Sequence, residues 1–355
     1  MSDQNGNMKT IELHENGLDI QFRIRENGVV ELADLSSQEV KKAAMEPKED
    51  IYYPAVEIHR SGTGSLNMHA YKNNINQSSV DFVYEKHELK EQDGGKELEI
   101  VMVSPEKLKA VYHMRLFDGV PAVQTWTEIT NEGSEDQGLT YVSSFIYQGI
   151  SRGGNKPYYK KTDIYVPFNS WCCEAQWQKY DAETLNLNGM VVDGFNHQGY
   201  GLNRYCYSGK GTWSTCEYLP MGIAEDRETG ETYIFQIESS GQWLAEYGSA
   251  QGGNLYLALS GATEQEHGWY KNLKPGECFT TVPAGAAVVK GGLNPAVAAL
   301  TRYRRKVRRA NPDDEKLNVV FNDYMNCLMG DPTTERELSI IDKAAELGCE
   351  YYCLD

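Results

Sequence analysis

A break in the pattern of the chain near residue 290 constrains its fold more than any other feature. Before it, short runs rich in Val, Ile, Thr and Tyr alternate apolar with polar residues, and Gly, Asn, Asp and Pro interrupt them at close intervals. Alternation with a period of two sends successive side chains to opposite faces of a strand. Leu98–Val103, Val123–Ile129 and Thr232–Ile237 read this way, with turn signals at Asp93-Gly94-Gly95, Asp118-Gly119, Asn131-Glu132-Gly133 and Gln251-Gly252-Gly253-Asn254. The 23 tyrosines suit pleated, half-buried surfaces. The expectation is a mainly β protein with a large antiparallel β-sandwich over residues 1–293. Ser37–Ala44 is the one candidate there for a short helix.

After Gly291-Gly292 the pattern becomes helical. Asn294 can cap a helix and Pro295 can occupy its first turn. Val297, Leu300, Tyr303 and Val307 recur at helical spacing, and Asn311-Pro312 ends the run, so residues 294–312 predict a linker helix. The segment 313–355 changes again. Leu317–Asn322 is a compact apolar strand. A helix starts after Asp331-Pro332 with Thr333 or Thr334 as cap, buries Leu338, Ile341 and Ala345, and stops at Gly348. Cys349–Leu354 is a second strand. Strand, helix and strand at this spacing make a βαβ unit with parallel strands. Such a unit needs cover on both faces. A (β/α)8 barrel takes about 250 residues, so the expectation is the opening of a barrel, truncated at Asp355.

Charge narrows the partners. Lys plus Arg number 34 and Asp plus Glu number 51, for a net charge of −17. Nucleic acid and anionic membranes are polyanions, and this chain repels them. The basic run Arg302, Arg304, Arg305, Lys306, Arg308 and Arg309 fits a linker helix docked on an acidic body. The opening residues Met1–Asn7 are polar with no apolar segment after them, so neither a secretory signal nor a membrane span is expected. Eight cysteines form no C-x-x-C pair. They read as reduced thiols in a cytoplasmic protein, with no metal site and no cofactor implied.

Barrel enzymes place chemistry at the C-terminal ends of their strands. Here those ends carry Asn322-Asp323-Tyr324 and Asp355, against the plainer role of Asp355 as the cap of a following turn. Trp126, Trp171, Trp177, Trp213, Trp243 and Trp269 could each stack on a sugar, but the economical reading is sandwich core. Glu264, Glu266 and His267 have no second histidine at helical spacing and read as a structural strand-to-turn junction. Adjacent Cys172-Cys173 reads as a small buried pair. The glycine turns at Arg152-Gly153-Gly154 and Ser208-Gly209-Lys210-Gly211 lack the strand-to-helix context of a phosphate loop.

The segment from Asn318-Val319-Val320-Phe321-Asn322-Asp323-Tyr324 through Ile340–Asp355 resembles the start of the catalytic barrel of glycoside hydrolase family 36, mostly α-galactosidases. In that family the first strand ends in Asn-x-Trp and the second in Asp-(Asp/Ala)-Gly-Trp. Asn322 matches the first Asn, Tyr324 stands where the family has Trp, and Asp355 matches the first Asp of the second motif. Gly119–Gly133, Thr263–Tyr270 and Leu273–Pro283 are similar to the family's β-domain signatures, in the right order.

The resemblance implies hydrolysis of terminal α-galactosides with retention, through an Asp nucleophile and an Asp acid/base. Both are expected beyond Asp355, so no catalytic residue is assigned, and the chain alone is expected to be inactive. It implies sugar binding by Asn322, Tyr324 and Asp355, and a homo-oligomer. In relatives a loop of the β domain helps close the sugar pocket, and Tyr52 and Tyr53 are candidates for it. The competing reading, from the aromatic-rich sandwich without a catalytic pair, is a non-catalytic carbohydrate-binding or assembly module.

Overall fold

The computed structural model describes residues 8–49, 51–64, 66, 72–188, 203–250, 252–325 and 327–355. The polar opening segment Met1–Asn7 lies outside them. The chain forms two compact units, Met1–Lys306 and Val307–Asp355.

The first unit is built of antiparallel sheets. In the largest, the strand order is Cys173–Asp181, Thr162–Ser170, Met221–Asp226, Glu231–Ile237, Ala284–Lys290, Val120–Asn131, Leu108–Phe117, Gly95–Val103 and Val83–Gln92, with Cys278–Thr280 also on Val120–Asn131. A second sheet runs Arg204–Gly209, Trp243–Ala250, Asn254–Ser260, Gln137–Ser151 and Lys271–Leu273, with Ile58–Arg60 also on Gln137–Ser151. Lys9–Glu15, Leu18–Ile24 and Val30–Ser37 make a third. One apolar core draws on all three, with Phe22 from the third, Tyr112, Val123 and Phe235 from the first, and Phe145, Tyr247 and Leu257 from the second. The sandwich reading holds, and the strands expected at Leu98–Val103, Val123–Ile129 and Thr232–Ile237 lie inside observed ones.

Three readings change. Ser37–Ala44 is not a helix, because Ser37 completes a strand and its N–H donates to Glu231 Oε1 at 2.9 Å. Lys42 then reaches Glu231 at 2.6 Å, and Met45 N–H donates to Ala33 O at 2.9 Å. Tertiary bonds override local propensity here. Among the tryptophans, Trp243 is fully buried, whereas Trp171 and Trp213 are 78% and 56% exposed. Trp171 sits in the tight turn joining Thr162–Ser170 to Cys173–Asp181, where little backs it. Cys172 and Cys173 share that turn and are exposed, not buried.

The helix over Leu293–Val307 buries Ala296, Ala299, Leu300 and Tyr303, while Val297 stays exposed. Tyr303 packs edge-on against Phe117, and its hydroxyl donates to Glu238. Arg304 Nε donates to Gln236 Oε1 at 2.7 Å, while the neighbouring arginines face outward. Among the described residues no helix is long and apolar enough to cross a membrane.

Buried carboxylates tie loops to sheets. Glu246 is fully buried and accepts from Asn73 N (2.7 Å), Asn73 Nδ2 (2.8 Å), Tyr256 Oη (2.5 Å) and Arg204 Nη1 (2.6 Å). Arg204 also donates to the partly exposed Glu266 at 2.6 Å. Breaking a buried, saturated ion pair leaves a charge without compensation. Glu246→Gln is therefore expected to destabilise the protein by about 3 kcal/mol, and Glu266→Gln by less than about 1 kcal/mol. Urea unfolding of the two variants measures the difference.

Candidate functional site

The unit 307–355 positions Asn322, Tyr324 and Asp355, whereas Tyr52 and Tyr53 lie in the first unit, Tyr52 half-buried and Tyr53 buried. Asn311 caps the short helix Pro312–Lys316, its side chain accepting from Asp313 N–H. Val320–Asn322 then pairs in parallel with Tyr351–Cys353, in register Val320↔Tyr351, Phe321↔Tyr352 and Asn322↔Cys353. The helix between them, Thr334–Glu346, starts at Thr333, whose hydroxyl accepts from Arg336 N–H. It ends in a turn where Gly348, at φ +86°, takes the left-handed conformation open to glycine. This is the expected strand–helix–strand unit.

The helix face differs from expectation. Ala344 is its buried residue, and Leu338 and Ile341 are 57% and 40% exposed. Two strands three residues long offer too little surface to cover a full helical stripe. Leu338 and Ile341 instead line a groove of about 390 Å³ with Tyr352, Leu354, Glu337 and Pro332. That groove contains none of Asn322, Tyr324 and Asp355.

Parallel pairing brings both C-terminal strand ends to one edge, where Asn322 Nδ2 donates to Asp355 Oδ2 at 2.9 Å. Tyr324 N–H donates to Asn322 Oδ1 at 2.8 Å, which fixes the orientation of the amide. Asn322, Tyr324 and Asp355 are all exposed. Asp355 Oδ1 has no partner among the described residues. The edge therefore presents a free carboxylate oxygen, an amide and a phenol ring, which is the equipment for binding vicinal hydroxyls.

Asp323, the middle of the run Asn322-Asp323-Tyr324 and without a role of its own in the family resemblance, is what holds this edge together. It is 1% exposed, although it lies between two exposed residues. Its Oδ1 accepts from Asp355 N–H at 2.9 Å and its Oδ2 from Tyr352 Oη at 3.2 Å, and its own N–H donates to Cys353 O at 3.3 Å. Tyr352 Oη also reaches Glu337 Oε2 at 2.5 Å. The hydrogen bond from the Asp355 amide, more than any other contact, holds the Asp323 carboxyl below the usual carboxylate range. Burial, followed by the Glu337 carboxylate, pushes the Tyr352 phenol well up. Asp323 and Asp355 are adjacent carboxylates, but they do not make a hydrolytic pair. A glycosidase needs one carboxyl aimed at substrate as a proton donor and a second facing the anomeric carbon. Both oxygens of Asp323 are already committed to the protein. The alternation of polar residues at 322–324 could have signalled an inward Asp323, since neighbours on a strand end point opposite ways.

Elsewhere the structure adds detail. Glu264–His267 forms one helical turn rather than a strand-to-turn junction. The two ring nitrogens of His267 lie 3.0 Å from Thr263 N and 3.2 Å from Gly209 O, so backbone groups occupy both. Burial lowers its pKa. No motif announced Glu97, Glu99 and His113, whose donor atoms lie within 4.8 Å of one another across two paired strands. Their charges are met within the protein, with His113 Nδ1 at 2.9 Å from Glu97 and Lys90 at 2.6 Å from Glu99. His113 also stacks on Trp126 at 4.7 Å.

No protein-family model and no curated protein sequence matches the chain. Solved structures do. An α-galactosidase of glycoside hydrolase family 36 from Geobacillus stearothermophilus, in complex with raffinose, superposes with a TM-score of 0.71 at 16% identity, over 98% of this chain and 50% of that one. The galactosidase domain of an α-galactosidase–sucrose kinase gives 0.72 at 15% identity, over 99% and 50%. An α-galactosidase from Lactobacillus brevis gives 0.68 at 15%, over 99% and 49%. The chain shares the family 36 α-galactosidase fold. It spans about half the length of these structures, and at this identity the likeness is one of fold.

A carboxylate with a depressed folded-state pKa contributes stability above its unfolded value of about 4, and that contribution is lost as pH falls through the folded value. The strand edge is therefore expected to stay intact at neutral pH and to open only at pH below about 4. In Asp323→Asn the opening is expected already at neutral pH. The amide shift of Asp355 followed by NMR through an acid titration reads both.

Proposed function

We propose that this chain is the N-terminal portion of a retaining α-galactosidase-like glycoside hydrolase, with terminal α-galactosides as substrates. The observation that carries this reading is the superposition of nearly the whole chain on one half of family 36 α-galactosidases at TM-scores near 0.7. One of these relatives, the Geobacillus stearothermophilus enzyme, was crystallised in complex with raffinose and in complex with stachyose.

In this reading Asp355 accepts hydrogen bonds from sugar hydroxyls and Asn322 orients its carboxylate from the side. Tyr324, where the family has Trp, offers a ring against the sugar face. The family's nucleophile and acid/base lie outside these 355 residues. Hydrolysis by two carboxylates therefore needs chain that is not here, and residues 317–355 open a barrel that the rest completes. Binding rather than bond cleavage is the work assigned to Asn322, Tyr324 and Asp355.

The test starts from the coding DNA. A frame that runs on past codon 355 is expected to encode a protein that hydrolyses melibiose and raffinose, with the α-anomer of galactose as first product by NMR. The 355-residue chain alone is expected to show no hydrolysis. Asp355→Asn in the longer protein is expected to lower kcat/KM by about 10–100-fold, the loss of one or two charged hydrogen bonds. Hydrolysis by the short chain, or a longer protein without α-galactosidase activity, would overturn the proposal. A stop after codon 355 would leave sugar binding without hydrolysis.

A further inference from the structure

One face of the largest sheet packs into the core through Leu98, Ile100, Tyr112 and Met114. Alternation along the strands sends Glu97, Glu99 and His113 to the opposite face. Glu99 stands opposite His113 in the register, and Glu97 lies two residues along the same strand. Trp126 stands opposite His113 on its other side, and Glu128 is two residues beyond Trp126.

The imidazole is fixed in this frame. Its plane stacks on Trp126 at 4.7 Å and 6°, and its side chain is only 9% exposed. Nδ1 lies 2.9 Å from Glu97 Oε1 and 3.9 Å from Glu99 Oε1. A carboxylate only accepts, so in this arrangement Nδ1 carries the ring proton. Nε2 is then a buried lone pair with no hydrogen-bond partner, and what it faces, at 4.0 Å, is another acceptor, Glu128 Oε2. A buried nitrogen left this way is costly. A cation on Nδ1 removes the conflict. The single ring proton then sits on Nε2, where it faces the Glu128 carboxylate. Metal-bound histidines are commonly held like this, with a carboxylate behind the second nitrogen.

Distance and charge agree with this. Zinc holds nitrogen and carboxylate oxygen at about 2.1 Å, which in tetrahedral geometry places ligand atoms about 3.4 Å apart. The donor atoms of Glu97, Glu99 and His113 lie within 4.8 Å of one another. Gln92 Nε2 donates to Glu97 Oε2 at 2.7 Å, which holds that carboxylate by the oxygen turned away from His113. Lys90, 2.6 Å from Glu99 Oε1, is the one ammonium or guanidinium paired with Glu97, Glu99 or Glu128 among the described residues. Its side chain is 39% exposed and lies 3.8 Å from Glu88 as well, so a divalent cation can displace it from Glu99. Arg115, opposite Glu97 in the register, lies over the Phe117 ring instead. One imidazole and two carboxylates suit zinc, whereas calcium and magnesium take oxygen ligands.

We propose that Glu97, Glu99 and His113 form a zinc site that ties Gly95–Val103 to Leu108–Phe117, with Glu128 as the carboxylate behind the histidine. The site belongs wholly to the first unit and goes beyond the hydrolase reading.

Titration of the full 355-residue chain with zinc after treatment with EDTA, followed by calorimetry, tests it. The expected result is one saturable site, with a change in tryptophan fluorescence at the same midpoint because Trp126 stacks on the ligand. Glu99→Gln and Glu128→Gln are each expected to weaken binding by at least about tenfold, the smallest effect usual for a lost outer partner. Lys90→Met is expected to tighten it by about two- to fivefold, because an exposed ion pair no longer competes. Cys172→Ser combined with Cys173→Ser is expected to leave it unchanged, and calcium is expected to give no heat. Glu99, Glu128 and Lys90 are partly exposed, so these variants fold even if a change at His113 proves unstable. Absence of saturable zinc binding would overturn the proposal. Binding unchanged in Glu99→Gln, or lost in the double cysteine variant, would overturn it too and place the metal on thiols. Calcium bound as tightly as zinc would overturn it by showing that the histidine is not a ligand.

Discussion

The first unit depends on acids buried inside a chain that is already strongly acidic. Glu31 takes Arg23, Arg25 and the Tyr53 amide. Glu57 takes the amides of Ile75 and Asn76 and the hydroxyl of Ser79. Glu231 takes the Ser37 amide, Lys42 and the Tyr233 hydroxyl. Each acid takes at least one donor from a loop well away along the chain: Tyr53 for Glu31, Ile75–Ser79 for Glu57 and Ser37 for Glu231. A carboxylate in the interior is tolerable only when such donors saturate it. Each acid therefore specifies where a loop must lie against a sheet, in a way that apolar packing, which has no direction, cannot. Arg152 and Lys42 hold the loop 42–48 in the same way, Arg152 between Asp34 and the Ala43 carbonyl and Lys42 on Glu231.

The second unit applies the same rule on a smaller scale. Its two strands are short and its helix keeps large side chains in contact with solvent. What sets the spacing of Asn322 and Asp355 is Asp323, which bonds to the strand after its own through a backbone amide. A carboxylate between two exposed polar residues has become the internal brace of the edge they form.

Much of this was legible in the amino-acid order. Alternation identified the sandwich strands, because a period of two survives in strands with one face buried. The βαβ unit was legible from Asn311-Pro312, Thr333 and Gly348, residues whose backbone preferences mark boundaries by themselves. What stayed hidden depends on distant partners. Ser37–Ala44 has a helical composition but is claimed by Glu231 and Ala33. Trp171 and Cys172 lie in a hairpin turn, and sequence does not show how far a turn stands from the body that might bury it. Leu338 and Ile341 repeat at helical spacing, which says that they face one way and not what they face. Asp323 was hidden between two site residues, and Glu97, Glu99 and His113 meet only because two strands pair in one register.

The amide of Asn322 has both of its ends engaged, its nitrogen on Asp355 and its oxygen on the Tyr324 backbone. A hydroxyl arriving at this edge thus meets one open carboxylate oxygen beside groups that already have partners. Whatever it gains from the Asp355 oxygen facing Asn322 must be set against the internal bond it loosens, so attachment there is an exchange, not a capture. On the proposed reading, such an edge discriminates by geometry. A hydroxyl that reaches the open Asp355 oxygen leaves the Asn322 bond standing and adds to it, whereas one oriented toward the occupied oxygen only substitutes for it. Two epimers that differ in the direction of a single hydroxyl would then be separated by the loss or survival of one hydrogen bond, with no change in the size of the site.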